Sequence, residues 1–172
     1  VRYYIEAVAD NNFNSVSYNP VGAEHDVYFY QVRMETVADK SVSINELMAS
    51  NSSTVADQNG EYDDWIELYN LTDEDIDLSG YFLTDGTYNV KKWEFPLGTT
   101  IAANDYLIIW ADENGSQEGL HANFKLNKAG ETLRLVTPDL QLMDEVSFTE
   151  QQVDIALARV PNAVSYTHLT LP

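Results

Sequence analysis

The residues best suited to chemistry in this chain form the run Asp57-Gln58-Asn59-Gly60-Glu61-Tyr62-Asp63-Asp64. Asp57, Asn59, Glu61 and Asp63 alternate around a glycine, the pattern by which a sharply turned loop offers hard oxygen ligands to calcium. A helix-loop-helix calcium loop also needs a bidentate glutamate at its twelfth position, and the residue eleven places after Asp57 is Leu68. The competing account is an acidic, solvated turn.

Other groups give less. Asp73-Glu74-Asp75 and Asp144-Glu145 could formally supply an acid and a base for glycoside hydrolysis, but nothing in the sequence sets two carboxylates across a cleft. With 28 Asp+Glu in 172 residues, chance adjacency is expected. There is no G-x-S-x-G elbow, no Ser-x-x-Lys and no phosphate-cradling glycine loop. Cysteine is absent, and the three histidines, His25, His121 and His168, lack the spacing of a zinc site. His25 and His121 read as strand-edge hydrogen bonders. Tyr81, Phe82, Trp93, Tyr106 and Trp110 would form a sugar-stacking platform if several faced solvent on one sheet, and otherwise fill the core. No enzyme activity is expected, and calcium is the one candidate cofactor.

Charge narrows the partners. The formal net charge is −19, and residues 41–90 carry 11 Asp/Glu with no Lys or Arg. Such a field repels nucleic-acid backbones and anionic lipid headgroups, and no apolar run is long enough for insertion into a membrane. Self-repulsion on this scale is relieved by salt, within a screening length of about 8 Å or less.

The elements that must position these groups are strands. Alternation rich in β-branched and aromatic residues dominates, and turn signals recur at short intervals: Ser79-Gly80, Asp85-Gly86, Asn104-Asp105, Asn114-Gly115 and Pro138-Asp139. From residue 42 onward the pattern predicts strands over 42–49, 65–69, 76–78, 81–84, 92–95, 106–110, 122–126, 132–136, 142–146 and 155–159. The fold class is all-β, a sandwich or barrel. In Trp65-Ile66-Glu67-Leu68-Tyr69, the period of two sends Ile66 and Leu68 to one face and Trp65, Glu67 and Tyr69 to the other. Before residue 33 lie three strand candidates, 1–9, 15–18 and 26–32, too few for a sandwich of about seven strands. The organisation expected is therefore a C-terminal remnant of a preceding β-domain over 1–32, a linker over 33–41, the main sandwich over 42–160 and a tail over 161–172. The opening Val1-Arg2-Tyr3-Tyr4, with neither initiator methionine nor signal-peptide pattern, reads as an excerpt of a longer protein.

In order along the chain, Ile44-Asn45-Glu46-Leu47-Met48-Ala49, Asp64-Trp65-Ile66-Glu67-Leu68-Tyr69-Asn70 and Asp77-Leu78-Ser79-Gly80-Tyr81-Phe82-Leu83-Thr84-Asp85 resemble the lamin tail domain in its bacterial form. Trp93-Glu94-Phe95-Pro96-Leu97-Gly98-Thr99, Phe124-Lys125-Leu126 and Gly130-Glu131-Thr132-Leu133 continue the match. The resemblance implies an immunoglobulin-like β-sandwich and a noncatalytic interaction or attachment module of a secreted or surface protein, extracellular and positioned beside neighbouring domains. The alternative is a carbohydrate-binding accessory module of a secreted hydrolase, assisted by calcium. Residues 1–32 resemble the end of an immunoglobulin- or fibronectin-type domain. Val164 to Pro172 resembles translated sequencing-adapter read-through and is expected to stand outside the fold.

Overall fold

The computed structural model describes residues 5–8, 16–19, 34–86 and 89–170. The chain divides into two compact units, Val1–Arg33 and Met34–Pro172. In the first, β1 (Ile5–Val8) and β2 (Val16–Asn19) pair antiparallel, with Val8 opposite Val16. The expected strand over 26–32 and His25 lie outside the described residues.

The second unit contains no helix among its described residues. Its strands are β3 (Val42–Met48), β4 (Asp64–Asn70), β5 (Ile76–Asp77), β6 (Phe82–Thr84), β7 (Trp93–Glu94), β8 (Thr100–Ile101), β9 (Tyr106–Ala111), β10 (His121–Ala122), β11 (Gly130–Val136), β12 (Leu142–Thr149), β13 (Ile155–Arg159) and β14 (Tyr166–Thr170). A six-stranded sheet runs β10-β9-β4-β3-β13-β14 and a four-stranded sheet runs β12-β11-β6-β7, while β5 and β8 pair separately. One core lies between the two larger sheets, with Ile44, Leu47, Ile66, Leu68 and Ile109 from the first against Leu83, Leu133, Leu135, Val146 and Phe148 from the second. This is a β-sandwich.

Alternation on β4 explains its place. Ile66 and Leu68 are fully buried on the inner face, each contributing about 1.5–3 kcal/mol from apolar area removed from water. Glu67 and Tyr69 on the opposite face stay partly exposed. Gly130 opens β11 at φ +108°, and a Cβ there would stand 2.6 Å from the Phe148 carbonyl oxygen, so only glycine allows β11 and β12 to meet at that point.

Three expectations need correction. Residues 35–37, assigned above to a linker over 33–41, join the sandwich: Thr36 bridges Leu142 in parallel, the Val37 amide donates to the Leu142 carbonyl (3.1 Å), and Val37 packs on the core. Local sequence there is mixed, and the long-range ladder decides its place. The strand predicted over 122–126 shrinks to β10, followed by one Asp112 to Lys125 bridge, because beyond Ala122 no continuous partner edge is available. The tail over 161–172 was expected to stand outside the fold, yet β14 pairs with β13 along Ile155–Arg159. The Tyr166 hydroxyl donates to the Ile44 carbonyl at 2.6 Å and its ring packs on the core, which anchors that strand.

Candidate functional site

The acidic loop is organised from within. Asp57 Oδ1 accepts hydrogen bonds from the amides of Asn59 and Glu61, each at 2.8 Å, and Gly60 at φ +83° completes the turn. Burial works against ionisation of Asp57, but the Glu61 and Asn59 amides, the Asn59 side chain and the nearby His121 outweigh it and hold the carboxyl below the usual carboxylate range. Of the four expected ligands, the structure gathers three: carboxyl oxygens of Asp57, Glu61 and Asp63 lie within 4.8 Å of one another. The Asn59 amide nitrogen instead faces Asp57 Oδ2 at 3.4 Å. Burial, followed by the charges of Asp112 and Glu61, pushes Asp63 up. A cation would relieve that repulsion, although Asp57 Oδ1 is already committed to two backbone donors.

His121 sits beneath this loop, at the start of β10, as a buried strand-edge hydrogen bonder. Its Nδ1 lies 2.7 Å from Asp112 Oδ2, with both side chains almost fully enclosed. Its Nε2 lies 3.2 Å from the Glu118 carbonyl oxygen and 3.0 Å from the Gln58 side chain. Sequence reasoning missed Asp112 because eight residues of loop and turn separate it from His121, and only the β9–β10 pairing brings them together.

The candidate catalytic pairs do not converge. Asp144 points into the edge of the sandwich, bound to Lys40 at 2.5 Å and Arg159 at 3.1 Å, while Glu145 faces the other way to Arg134 at 2.6 Å. Asp73 and Asp75 serve the neighbouring turn through Asn104 and the Ala103 amide. Among the aromatics considered for a sugar platform, Phe82 and Trp110 are buried, Tyr81 and Trp93 partly buried and Tyr106 exposed. Tyr106 stacks on Tyr69 with rings tilted by 39°.

A second polar site lies on the outer face of the six-stranded sheet. The β3–β4 register shifts between Ile44 and Glu46, so Asn45 and Glu46 together oppose the single residue Glu67. A bulge of this kind re-aims side chains and is common beside functional sites. Three cross-strand rows result: Trp110, Trp65 and Met48; Ile108, Glu67 and Glu46; and Tyr106, Tyr69 and Ser43. The first row is buried, the Thr54 hydroxyl reaching the Met48 sulfur at 3.2 Å. At the opposite end, the Ala163 amide donates to Asn45 Oδ1 at 3.0 Å, and Asn162 contacts the Tyr106 hydroxyl. The middle row lies between these two ends, with Ile108 exposed and Glu67 and Glu46 half-buried.

That row is electrostatically unfavourable. Like charges directly opposite on a sheet repel, and the described residues place no Lys or Arg in an ion pair with either glutamate. Burial, then the charge of Glu67, pushes Glu46 up to about 7. Burial also raises Glu67, against the Asn45 amide, which donates to Glu67 Oε1 at 3.0 Å. Glu46 Oε1 is buried and has no hydrogen-bond partner among the described residues. The sequence signal was present in the odd spacing of the outward residues Ser43, Glu46 and Met48, which breaks a strict period of two.

Among known proteins, the family model described as Lamin Tail Domain matches residues 35–150. No curated protein matches the chain.

Proposed function

Since the chain belongs to the lamin tail domain family, whose fold is an immunoglobulin-like β-sandwich, we propose that it is a noncatalytic interaction module, which attaches or positions neighbouring domains of a longer extracellular or surface polypeptide. The observation that carries this reading is the broad outer face of the six-stranded sheet, where exposed Tyr106 and Ile108 border half-buried carboxylates. A surface with that mixture of apolar rim and underpaired charge gains most when another macromolecule covers it. No helix among the described residues is long and apolar enough to cross a membrane. The acidic excess fits a salty exterior, where self-repulsion is screened.

The carbohydrate-binding alternative draws less support, because a single member of the aromatic set, Tyr106, is exposed. Parallel binding of the whole chain to protein and glycan arrays tests the choice. Binding to proteins with no glycan signal supports the interaction module; glycan binding alone moves the assignment to the accessory module, and turnover of a glycan overturns both noncatalytic readings. The calcium reading for Asp57, Asn59, Glu61 and Asp63 draws on the convergence of three carboxylates. Isothermal titration of the chain with calcium decides it, and an absence of heat at millimolar metal removes calcium from the account.

A further inference from the structure

Three places in the chain set an asparagine or aspartate directly before glycine: Asn59-Gly60, Asp85-Gly86 and Asn114-Gly115. At such a pair a polypeptide can modify itself, because glycine has no side chain to keep its backbone nitrogen away from the preceding side-chain carbonyl carbon. Two of the three share the longer pattern Asp-x-Asn-Gly, Asp57-Gln58-Asn59-Gly60 and Asp112-Glu113-Asn114-Gly115. In both, the aspartate accepts from the asparagine amide, Asp57 Oδ1 at 2.8 Å and Asp112 Oδ1 at 2.9 Å. By sequence and by that contact the two are alike.

The glycine nitrogen separates them. The Gly60 N–H donates to the Asp57 carbonyl at 3.1 Å, and the Gly86 N–H donates to Thr84 Oγ1 at 3.1 Å. The Gly115 N–H has no acceptor among the described residues, because the turn there begins one residue later in the pattern and is closed by the Gln117 amide donating to the Asn114 carbonyl at 3.2 Å. Gly115 is also exposed to solvent. The carbon that its nitrogen would attack is prepared as well: the Ser116 hydroxyl donates to Asn114 Oδ1 at 2.7 Å and draws electron density from the side-chain carbonyl. Among the described residues Asn59 Oδ1 has no such donor, and its amide nitrogen faces Asp57 Oδ2 at 3.4 Å.

We infer that Asn114 is a site of spontaneous deamidation, with Ser116 as the positioning residue that polarises its carbonyl, and that the turns at Asn59 and Asp85 protect those residues from the same chemistry. The Gly115 nitrogen gives its proton to hydroxide or buffer base and attacks Asn114 Cγ. A bond forms from that nitrogen to Cγ, the bond from Cγ to Nδ2 breaks, and Nδ2 takes up a proton from water and leaves as ammonia. One water then opens the five-membered succinimide at either of its carbonyls, leaving aspartate or isoaspartate. Nothing is oxidised or reduced. The product adds a negative charge, and in the isoaspartyl form a main-chain methylene, at the head of the turn. Beyond it, the Gln117 side chain contacts Glu61 and the Glu118 carbonyl faces His121 Nε2, so the acidic loop is the neighbour that feels the change.

The test incubates the whole chain in mildly alkaline buffer and follows each asparagine by peptide mass mapping, which reads the exchange of NH2 for OH. In the folded chain Asn114 should convert about three- to tenfold faster than Asn59, the rate equivalent of the one hydrogen bond that Gly60 must first break. In urea, where both turns are lost, the two rates should converge. Gly115→Ala adds a methyl in ordinary contact with the His121 carbonyl, 4.0 Å away, so it should leave the melting temperature unchanged and bring Asn114 down to the rate of Asn59 or below. Ser116→Ala should slow Asn114 in the folded chain and not in urea. Aged protein should show amide shifts at residues 57–61 and 117–121 as well as at 113–116. Equal rates at the two asparagines in the folded chain, conversion of Asn114 in urea alone, or a rate indifferent to Gly115→Ala would overturn the inference. A folded-state rate unchanged in Ser116→Ala overturns the role given to that hydroxyl, and shifts confined to 113–116 overturn the link to the acidic loop.

Discussion

Two acidic regions meet at β4 and have opposite internal economies. In the loop before it, Asp57 spends its carboxylate on the backbone amides of Asn59 and Glu61 and is held below the usual range. On the strand itself, Glu67 faces Glu46 across the ladder, and Glu46 is pushed up to about 7 with one oxygen unpartnered. Acidic residues in a turn can fold back on free N–H groups, because turn backbone leaves them available. Strand backbone is already paired along the ladder, so an acidic side chain there must look outward for a donor. Acidic density alone thus says little about binding. What matters is whether the local backbone has donors left to give.

The largest effect tests the strand common to both regions. Ile66→Asp puts an unpaired carboxylate into the core and should cost about 3–5 kcal/mol, read as a steep fall in melting temperature by circular dichroism. An unchanged melting temperature would mean that the inner face of β4 is misassigned, and the outward direction of Glu67 would fall with it.

Next comes Glu46→Gln, which should stabilise the protein by about 1–2 kcal/mol near pH 8, after allowance for the partial exposure of the group. The same variant carries a pH signature. Folding raises Glu46 from its ordinary 4.5 to about 7, so the folded state holds more protons between those values. Its contribution is complete below about pH 4.5 and is lost as pH rises toward 7. Asp64, raised by burial to about 6, acts in the same direction. Glu46→Gln should therefore flatten, without abolishing, the decline in denaturant-measured stability across that window. Asp154 has the reverse sign: the Ser52 amide and the Ser53 and Ser52 hydroxyls lower it to about 2, and its contribution disappears as pH falls from 3.8 through that value.

A smaller loss is expected on the loop side. Asp57→Ala frees the Asn59 and Glu61 amides at the turn and should lower the melting temperature by much less than Ile66→Asp does. The opposite signs expected for Asp57→Ala and Glu46→Gln are the sharpest form of the comparison, and two changes of the same sign would abolish it. The smallest effect is that of Asp63→Asn. By removing a carboxylate raised by burial and by Asp112 and Glu61, it should change stability by less than about 0.5 kcal/mol without metal and eliminate any calcium heat that the parent chain gives.

Much of the sandwich was legible because burial alternates with the sequence period. Ile44, Ile66, Ile109, Leu133 and Leu157 all lie in predicted spans, and the strands found there, some longer by one or two residues, bury them. The short pair β5 and β8 was only half visible, since Thr100 and Ile101 carry too few residues for a period to register. At the candidate sites, Asp57, Glu61 and Asp63 were readable as a group because they are close in sequence, whereas the joint presence of Asn45, Glu46 and Glu67 was not. Arg159 shows the same limit: a charged residue at the end of a predicted strand is buried through Asp144 and the Tyr166 ring, both supplied by other strands.

Sequence by itself determined the all-β class, the inward and outward faces of the longer strands, the family resemblance and the acidic field, since each depends on residue type and near-neighbour spacing. Tertiary structure alone decided that residues 35–37 and 166–170 join the sheets, that His121 meets Asp112, and that a bulge at Asn45 sets two glutamates against each other. Those outcomes depend on which edges meet and in what register, and register is fixed by the packing of the whole core, beyond the reach of any short stretch of chain.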